Sequence, residues 1–297
     1  MFHETVRSKE LSGFSLVEML TAVAAAAFVI VTLGTFLSTL GNNWKQNSSQ
    51  SETLAEAGPA FETMIRDLES MIRDGAGGEY FVAKSGLWVP ETTAPSSFKN
   101  QLLFFSPVQD RPRPAPVAPP AISPPSGDVC AISYRLIVED PISPGGGFPR
   151  TSLYRMVASP EDTFATALQA ADIWGTFWDP LEALHRNPDH LLALDVVSFE
   201  LRIMYRDAVT DLLVALPPEH TVRMTNTAVT VVDESGTPAV TGFSSPAQLE
   251  AIEVTIGVID RAGASLLRDG SITSNQAIEQ FGRKFSSRIE LPKQVNL

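Results

Sequence analysis

The chain has 297 residues, enough for one or two domains, and 44% of them are hydrophobic, enough to bury a core. The formal net charge is −12 and no run of Lys or Arg occurs, so nucleic acid is not expected as a partner, because phosphate contacts need clustered cations. The single cysteine, Cys130, excludes an intrachain disulfide framework and a four-Cys zinc site; its apolar surroundings (Val129, Ala131, Ile132) predict a small buried hydrophobe.

Residues 1–13 are polar and mixed in charge, with Arg7 and Lys9 against Glu4 and Glu10. No charged residue follows from Met19 to Trp44. As a helix this stretch would span about 39 Å, more than the hydrocarbon thickness of a bilayer. A transmembrane helix is therefore expected over residues 14–41. The apolar run exceeds that of a secretory signal peptide, and its polar C-terminal flank carries no small-x-small cleavage site. Glu18 stands out, because a carboxylate in an apolar helix is costly and is usually functional and paired. No cation lies one helical turn away within the apolar segment, so a partner is expected from another chain or from a chain end. A cut after Gly13 would create such an end, a free amine on Phe14, and the unpaired N–H groups of a neighbouring helix would be another place for the carboxylate.

The string Gly13-Phe14-Ser15-Leu16-Val17-Glu18 resembles the class III signal of type IV pilins and type II secretion pseudopilins. The resemblance implies that a prepilin peptidase cuts after Gly13 and N-methylates Phe14. It also implies that Glu18 pairs with the terminal amine of an adjacent subunit during assembly. One departure is Ser12, where the family often has a basic residue; the nearest base is Lys9. The leader is expected in the cytoplasm and the head in the periplasm, across the inner membrane. The positive-inside bias of Arg7 and Lys9 agrees, although Lys45 on the far side weakens that argument on its own.

Polar residues 42–52 leave the apolar segment, and helical periodicity resumes at Leu54, Phe61, Ile65, Leu68 and Ile72. Glu62, Arg66, Asp67, Glu69 and Arg73 fall on the opposite face. Gly58-Pro59 predicts a kink, and Gly75, Gly77 and Gly78 predict the end, so residues 42–75 read as a continuation of the helix outside the membrane. Residues 76–297 read as a soluble α+β head. Strands are expected at 102–105, 131–138, 152–157, 192–206, 249–259 and 285–291, from alternation such as Val197, Phe199, Leu201, Ile203 and Tyr205. Short helices are expected at 164–174 and 274–281. Residues 107–125 form a proline-rich loop, and Gly145-Gly146-Gly147 a turn without the Lys and Ser or Thr of a phosphate loop.

A long N-terminal helix on an antiparallel sheet is an α+β layout, and it is also the pilin fold. The segments LLALDVVSFELRIMYRD and AQLEAIEVTIGVIDRAG resemble the J-type minor pseudopilin of type II secretion. The residues Gly127-Asp128-Val129-Cys130-Ala131, Leu153-Tyr154-Arg155 and the ending RKFSSRIELP resemble the Verru_Chthon cassette protein C group. These resemblances imply a minor subunit that primes or caps a pseudopilus or pilus-like fibre, with the prepilin peptidase and other pilin-like subunits as partners. An alternative is a membrane-anchored periplasmic enzyme or binding module that uses the signal for placement alone; a DNA-uptake pilin would need a basic patch.

No catalytic constellation is legible, and no cofactor is expected. His185, Asp189 and His190 lie close together, but Pro188 interrupts them and the spacing is not that of a helical zinc pair. Asp179, Glu182, Asp233 and Glu234 could offer calcium oxygens without an ordered ligand loop. These acidic and histidine residues read as surface, so no metal site is expected.

Overall fold

The structure is a computed structural model that describes residues 15–72, 78–88, 101–108, 127–142, 146–170, 172–173, 188–206, 211–216, 218, 220–225, 229–232 and 248–291. The chain divides into two compact units, Met1–Ser49 and Gln50–Leu297. One helix, α1 (Leu16–Glu69), begins in the first and ends in the second.

In the first unit the stretch Leu16–Gly41 is apolar and long enough to cross a membrane, and none of it is buried against protein. Its threonines make no demand on water. Thr32 Oγ1 donates to the carbonyls of Phe28 and Val29 at 3.0 Å each, Thr35 Oγ1 to Thr32 at 2.9 Å, and Thr39 Oγ1 to Thr35 at 2.9 Å. Such back-bonding satisfies a hydroxyl where no water is present.

The second unit is α+β with two antiparallel sheets. Its strands are β1 (Glu79–Lys84), β2 (Gly86–Trp88), β3 (Gln101–Pro107), β4 (Val129–Glu139), β5 (Arg150–Val157), β6 (Leu191–Leu194), β7 (Val196–Arg206), β8 (Leu213–Ala215), β9 (Thr221–Thr225), β10 (Val229–Val232), β11 (Gln248–Ile259) and β12 (Gly282–Glu290). Seven strands pair in the order β10-β9-β1-β3-β4-β5-β6. The second sheet runs β12-β11-β7-β2, with β8 also on β7. Short helices α2 (Pro160–Ala165), α3 (Arg261–Arg268) and α4 (Ser274–Phe281) are also described.

Two of the crossings between the sheets lie wholly within described residues. Between β1 and β2 the crossing uses Gly86 at φ 103°, a conformation open to glycine. Between β6 and β7 it uses Asp195 at φ 54°, in the left-handed region that Asp tolerates better than most residues. The expected strand over 192–206 is therefore two strands in different sheets, not one. The expected alternation holds from Phe199 through Leu201 to Ile203, which share the main core with Val196, whereas a register shift beside Gly257 and Val258 turns Val197 into a separate small core. β4 departs from simple alternation: Ser133 and Arg135 are buried as well as Ile132, Tyr134 and Leu136, so neither face of this central strand meets solvent.

The last turns of α1 join the main core. Ala57, Ala60, Phe61, Met64, Leu68 and Met71 are buried there, while Ile65 and Ile72 are half-buried at its edge. The apolar stripe is thus turned from the expected one, and the side chain of Leu54 lies outside the described residues. Met64 and Leu68 have no exposed surface, and burying each contributes about 1.5–3 kcal/mol. The helix runs as one helix through Gly58 and Pro59 and ends at Glu69, ahead of the glycines that were expected to stop it. A backbone bridge from Ile72 to Phe105 then ties the chain to β3.

The helix expected at 274–281 is present, closed by a capping box between Thr273 and Gln276. That expected at 164–174 starts earlier, because Ser159 caps it and Pro160 occupies its first turn. It breaks at Thr166 into a short 3-10 turn, Ala167–Gln169. Helix α3 was not anticipated. Of the proline-rich loop, residues 109–125 lie outside the described residues, as do Arg73, Gly75, Gly77, Gly145 and Trp174.

Candidate functional site

Gly13 and Phe14, the residues of the expected cleavage, lie outside the described residues, as do Arg7 and Lys9. Glu18 is described, and it has a partner in its own chain. The Ser15 backbone N–H donates to Glu18 Oε2 at 2.9 Å, and the Glu18 backbone N–H donates to Ser15 Oγ at 3.3 Å. This is a reciprocal capping box at the start of α1. The partner is a neutral N–H rather than a cation, and the positive end of the helix dipole adds to it. The signal was present in the sequence as Ser15-x-x-Glu18.

A second polar site fixes the end of α1 to the seven-stranded sheet. Asp67 was expected on the solvent face, but it is buried. Its Oδ2 accepts from Tyr134 Oη of β4 at 2.5 Å and from Arg155 Nε of β5 at 2.7 Å. Arg155 Nη2 donates to Oδ1 at 3.1 Å, which makes the pair bidentate. The burial of Tyr134 and the adjacent Asp67 charge together push its hydroxyl well above the usual phenol range. Ser70 and Ser106 share a 2.6 Å hydrogen bond beside this cluster. Arg66, one residue from Asp67, behaves as expected: it meets Glu62 at 3.2 Å in solvent. The Asp67 cluster is a clamp. It joins three elements through one carboxylate and offers no nucleophile poised against a base.

A third cluster lies at β1. Glu79 is held by Arg223 Nε at 2.8 Å and accepts from the Ile173 N–H at 3.1 Å, and Arg223 also reaches Asp172. Burial pushes the Glu79 carboxyl above its ordinary value, against the opposing pull of Arg223.

Of the metal candidates, Asp189 and His190 are described. Asp189 and His190 sit in the short turn Pro188–His190, and burial lowers the His190 imidazole, opposed by Asp189. His185, Asp179, Glu182, Asp233 and Glu234 lie outside the described residues. Among the described residues, no group of three or more His, Cys, Asp or Glu side chains could hold a metal ion. Cys130 is fully buried in β4, as its apolar neighbours predicted.

The chain matches no family model, no curated protein and no solved structure.

Proposed function

We propose that the chain is a non-enzymatic, membrane-anchored minor subunit of a pseudopilus or pilus-like fibre. In this reading a prepilin peptidase removes residues 1–13 and methylates Phe14. The helix then holds the chain in the inner membrane with the head on the periplasmic side. The observation that carries the reading is the position of Glu18, four residues beyond Phe14 and at the mouth of an apolar helix with no protein cover.

Two physical arguments support it. An apolar helix exposed along its whole length needs an apolar environment, which lipid supplies to a single chain and neighbouring helices supply in an assembly. The capping box gives Glu18 one neutral donor but leaves its charge without a cation inside the helix. A Phe14 amine from an adjacent subunit would supply that cation, and this favours entry of a processed subunit over an unprocessed one. The clamp at Asp67 serves the same role mechanically, because force on α1 passes to the sheet through Tyr134 and Arg155. The test is Gly13→Leu co-expressed with a prepilin peptidase. The precursor should stay uncut while the parent chain is shortened, and normal shortening of the variant would overturn the reading.

A further inference from the structure

Strand β12 closes one edge of the second sheet, and among the described residues no strand lies on its far side. Edges of this kind are usually blunted by a bulge, a proline or a short length, because their open N–H and C=O groups can template another strand. β12 has none of these. All nine of its residues, Gly282–Glu290, pair with β11 in unbroken register, and none is a proline. What guards the edge is charge: Arg283, Lys284, Arg288 and Glu290 are all exposed.

The phase of its hydrogen bonds decides which backbone groups face outward. The Leu291 N–H donates to the Glu250 carbonyl at 2.7 Å, next to the pair Ala251 and Glu290. Hydrogen-bonded pairs alternate in an antiparallel ladder, so Arg283, Phe285, Ser287 and Ile289 turn their backbone groups to β11. Lys284, Ser286, Arg288 and Glu290 turn theirs to the open edge, over about 20 Å. Two other contacts agree with this phase. The Gly282 N–H donates to the Ile278 carbonyl, not to its β11 neighbour Ile259. Ser286 Oγ meets Thr255 Oγ1 at 2.9 Å, as suits the closer, non-hydrogen-bonded pairs.

We propose that a second copy of this chain pairs along this edge, β12 to β12, antiparallel about a two-fold axis at Ser287. The four outward residues are symmetric about Ser287, so only this register sets all of them against one another. Lys284 lies opposite Glu290 and Ser286 opposite Arg288, each pair exchanging both backbone hydrogen bonds. The side chains fit the same register. Lys284 and Glu290 are exposed, and they meet as opposite charges at both ends of the seam, a favourable cross-strand pair. On the other face Phe285 meets Ile289, both already packed on the main core. Centring the seam on Ser286 sets Lys284 against Arg288 twice, and centring it on Arg288 sets that residue against itself. The charges that turn away other strands thus admit a copy of this one in a single register. Glu290 also meets Arg288 of its own strand at 3.6 Å, an exposed pair of little strength. The inference does not depend on processing at Gly13, and it concerns the head alone.

The test uses the full chain in detergent micelles, and two cysteine variants read the register. Across the axis the two Ser287 residues form a non-hydrogen-bonded pair, with Cα atoms about 4.5 Å apart and within disulfide reach. The two Ser286 residues are offset by two positions, about 8–9 Å apart and beyond that reach. On mild oxidation Ser287→Cys should form a disulfide-linked dimer. Ser286→Cys should not, nor should the parent, whose Cys130 is fully buried. Without oxidant, sedimentation velocity should show a reversible dimer of the parent. Lys284→Glu and Glu290→Lys should each weaken it about tenfold or more, because each places two like-charge pairs across the seam. The double swap should restore the dimer, which separates lost pairing from lost folding. Cross-linking of neither cysteine variant, equal cross-linking of both, a monomeric parent, or a dimer indifferent to the charge swaps overturns the proposal. A monomeric parent would leave the edge to an unlike strand, and indifference to the swaps would leave the association to the apolar helix.

Discussion

Asp67→Ala offers the sharpest test of how α1 is fixed to the head. The Asp67 carboxylate is buried and accepts three hydrogen bonds, from Tyr134 Oη and from Nε and Nη2 of Arg155. The Arg155 side chain is only 9% exposed. Removing the carboxylate takes one counter-charge from a buried guanidinium, and breaking a buried ion pair costs about 3–5 kcal/mol. The Tyr134 hydroxyl loses its acceptor too, but the effects overlap within one network and do not simply add. We therefore expect a loss of about 4 kcal/mol, a large fraction of the 5–15 kcal/mol typical of a folded protein. Arg66→Ala, one residue away, removes an exposed pair with Glu62 and should cost below about 0.5 kcal/mol. Asp67→Leu combined with Arg155→Met should recover most of the loss, because the buried charge is then gone from both sides. Urea unfolding of the full chain in detergent, followed by tryptophan fluorescence, reads these differences. Trp88 is buried and stacked on Phe199 at 4.0 Å, so its emission reports the core. A loss under about 1 kcal/mol for Asp67→Ala, or an equal loss for Arg66→Ala, would refute the clamp.

Three further outcomes are expected. Gly78→Ala would place a Cβ 2.5 Å from the Ala170 carbonyl oxygen and 3.0 Å from that of Leu168, both backbone atoms that no rotamer change relieves. It should destabilise by about 1–3 kcal/mol, seen as a lower Tm, and an unchanged Tm would show that this approach is not close. Glu79 has its folded-state pKa raised above 4.5, so its contribution is full below that value and declines as pH rises through the folded value. The stability of the parent relative to Glu79→Gln should therefore fall as the pH rises from 4.5 in urea titrations, and a rise instead would contradict the dominance of burial. Val29→Lys puts a charge within the apolar helix and should cost about 2.5–3.5 kcal/mol of membrane insertion. Alkaline carbonate should then extract part of the variant but none of the parent; an extractable parent would remove the anchor from the account.

The sequence was most informative where neighbouring residues decide the structure. The apolar run, the alternation of Phe199 to Ile203 and the helix at 274–281 are local patterns, and the structure repeats them. Asp67 was misplaced because periodicity sorts residues by type, and a carboxylate beside Arg66 sorts to the water side. Its burial depends on Tyr134 and Arg155, which lie 67 and 88 residues away, and no local signal announces them. The break at Asp195 was hidden for a related reason. Leu194 and Val196 flank it in a continuous apolar stretch, and only the phase of the alternation, together with an Asp able to take a positive φ, hints that the chain changes sheets. The Glu18 cap was local and could have been read. It joins two residues three positions apart, Ser15 and Glu18. The meeting of β5, the β6–β7 crossing and α3 around one cavity of about 470 Å³ was out of reach, because it depends on long-range packing that no local pattern announces.

The central claim concerns the N-terminus, and mass spectrometry of the chain isolated from membranes tests it most directly. The account predicts a chain that starts at Phe14, lacks residues 1–13 and carries one methyl group on its terminal amine. A chain that retains Met1, or one cut at another bond, would contradict it.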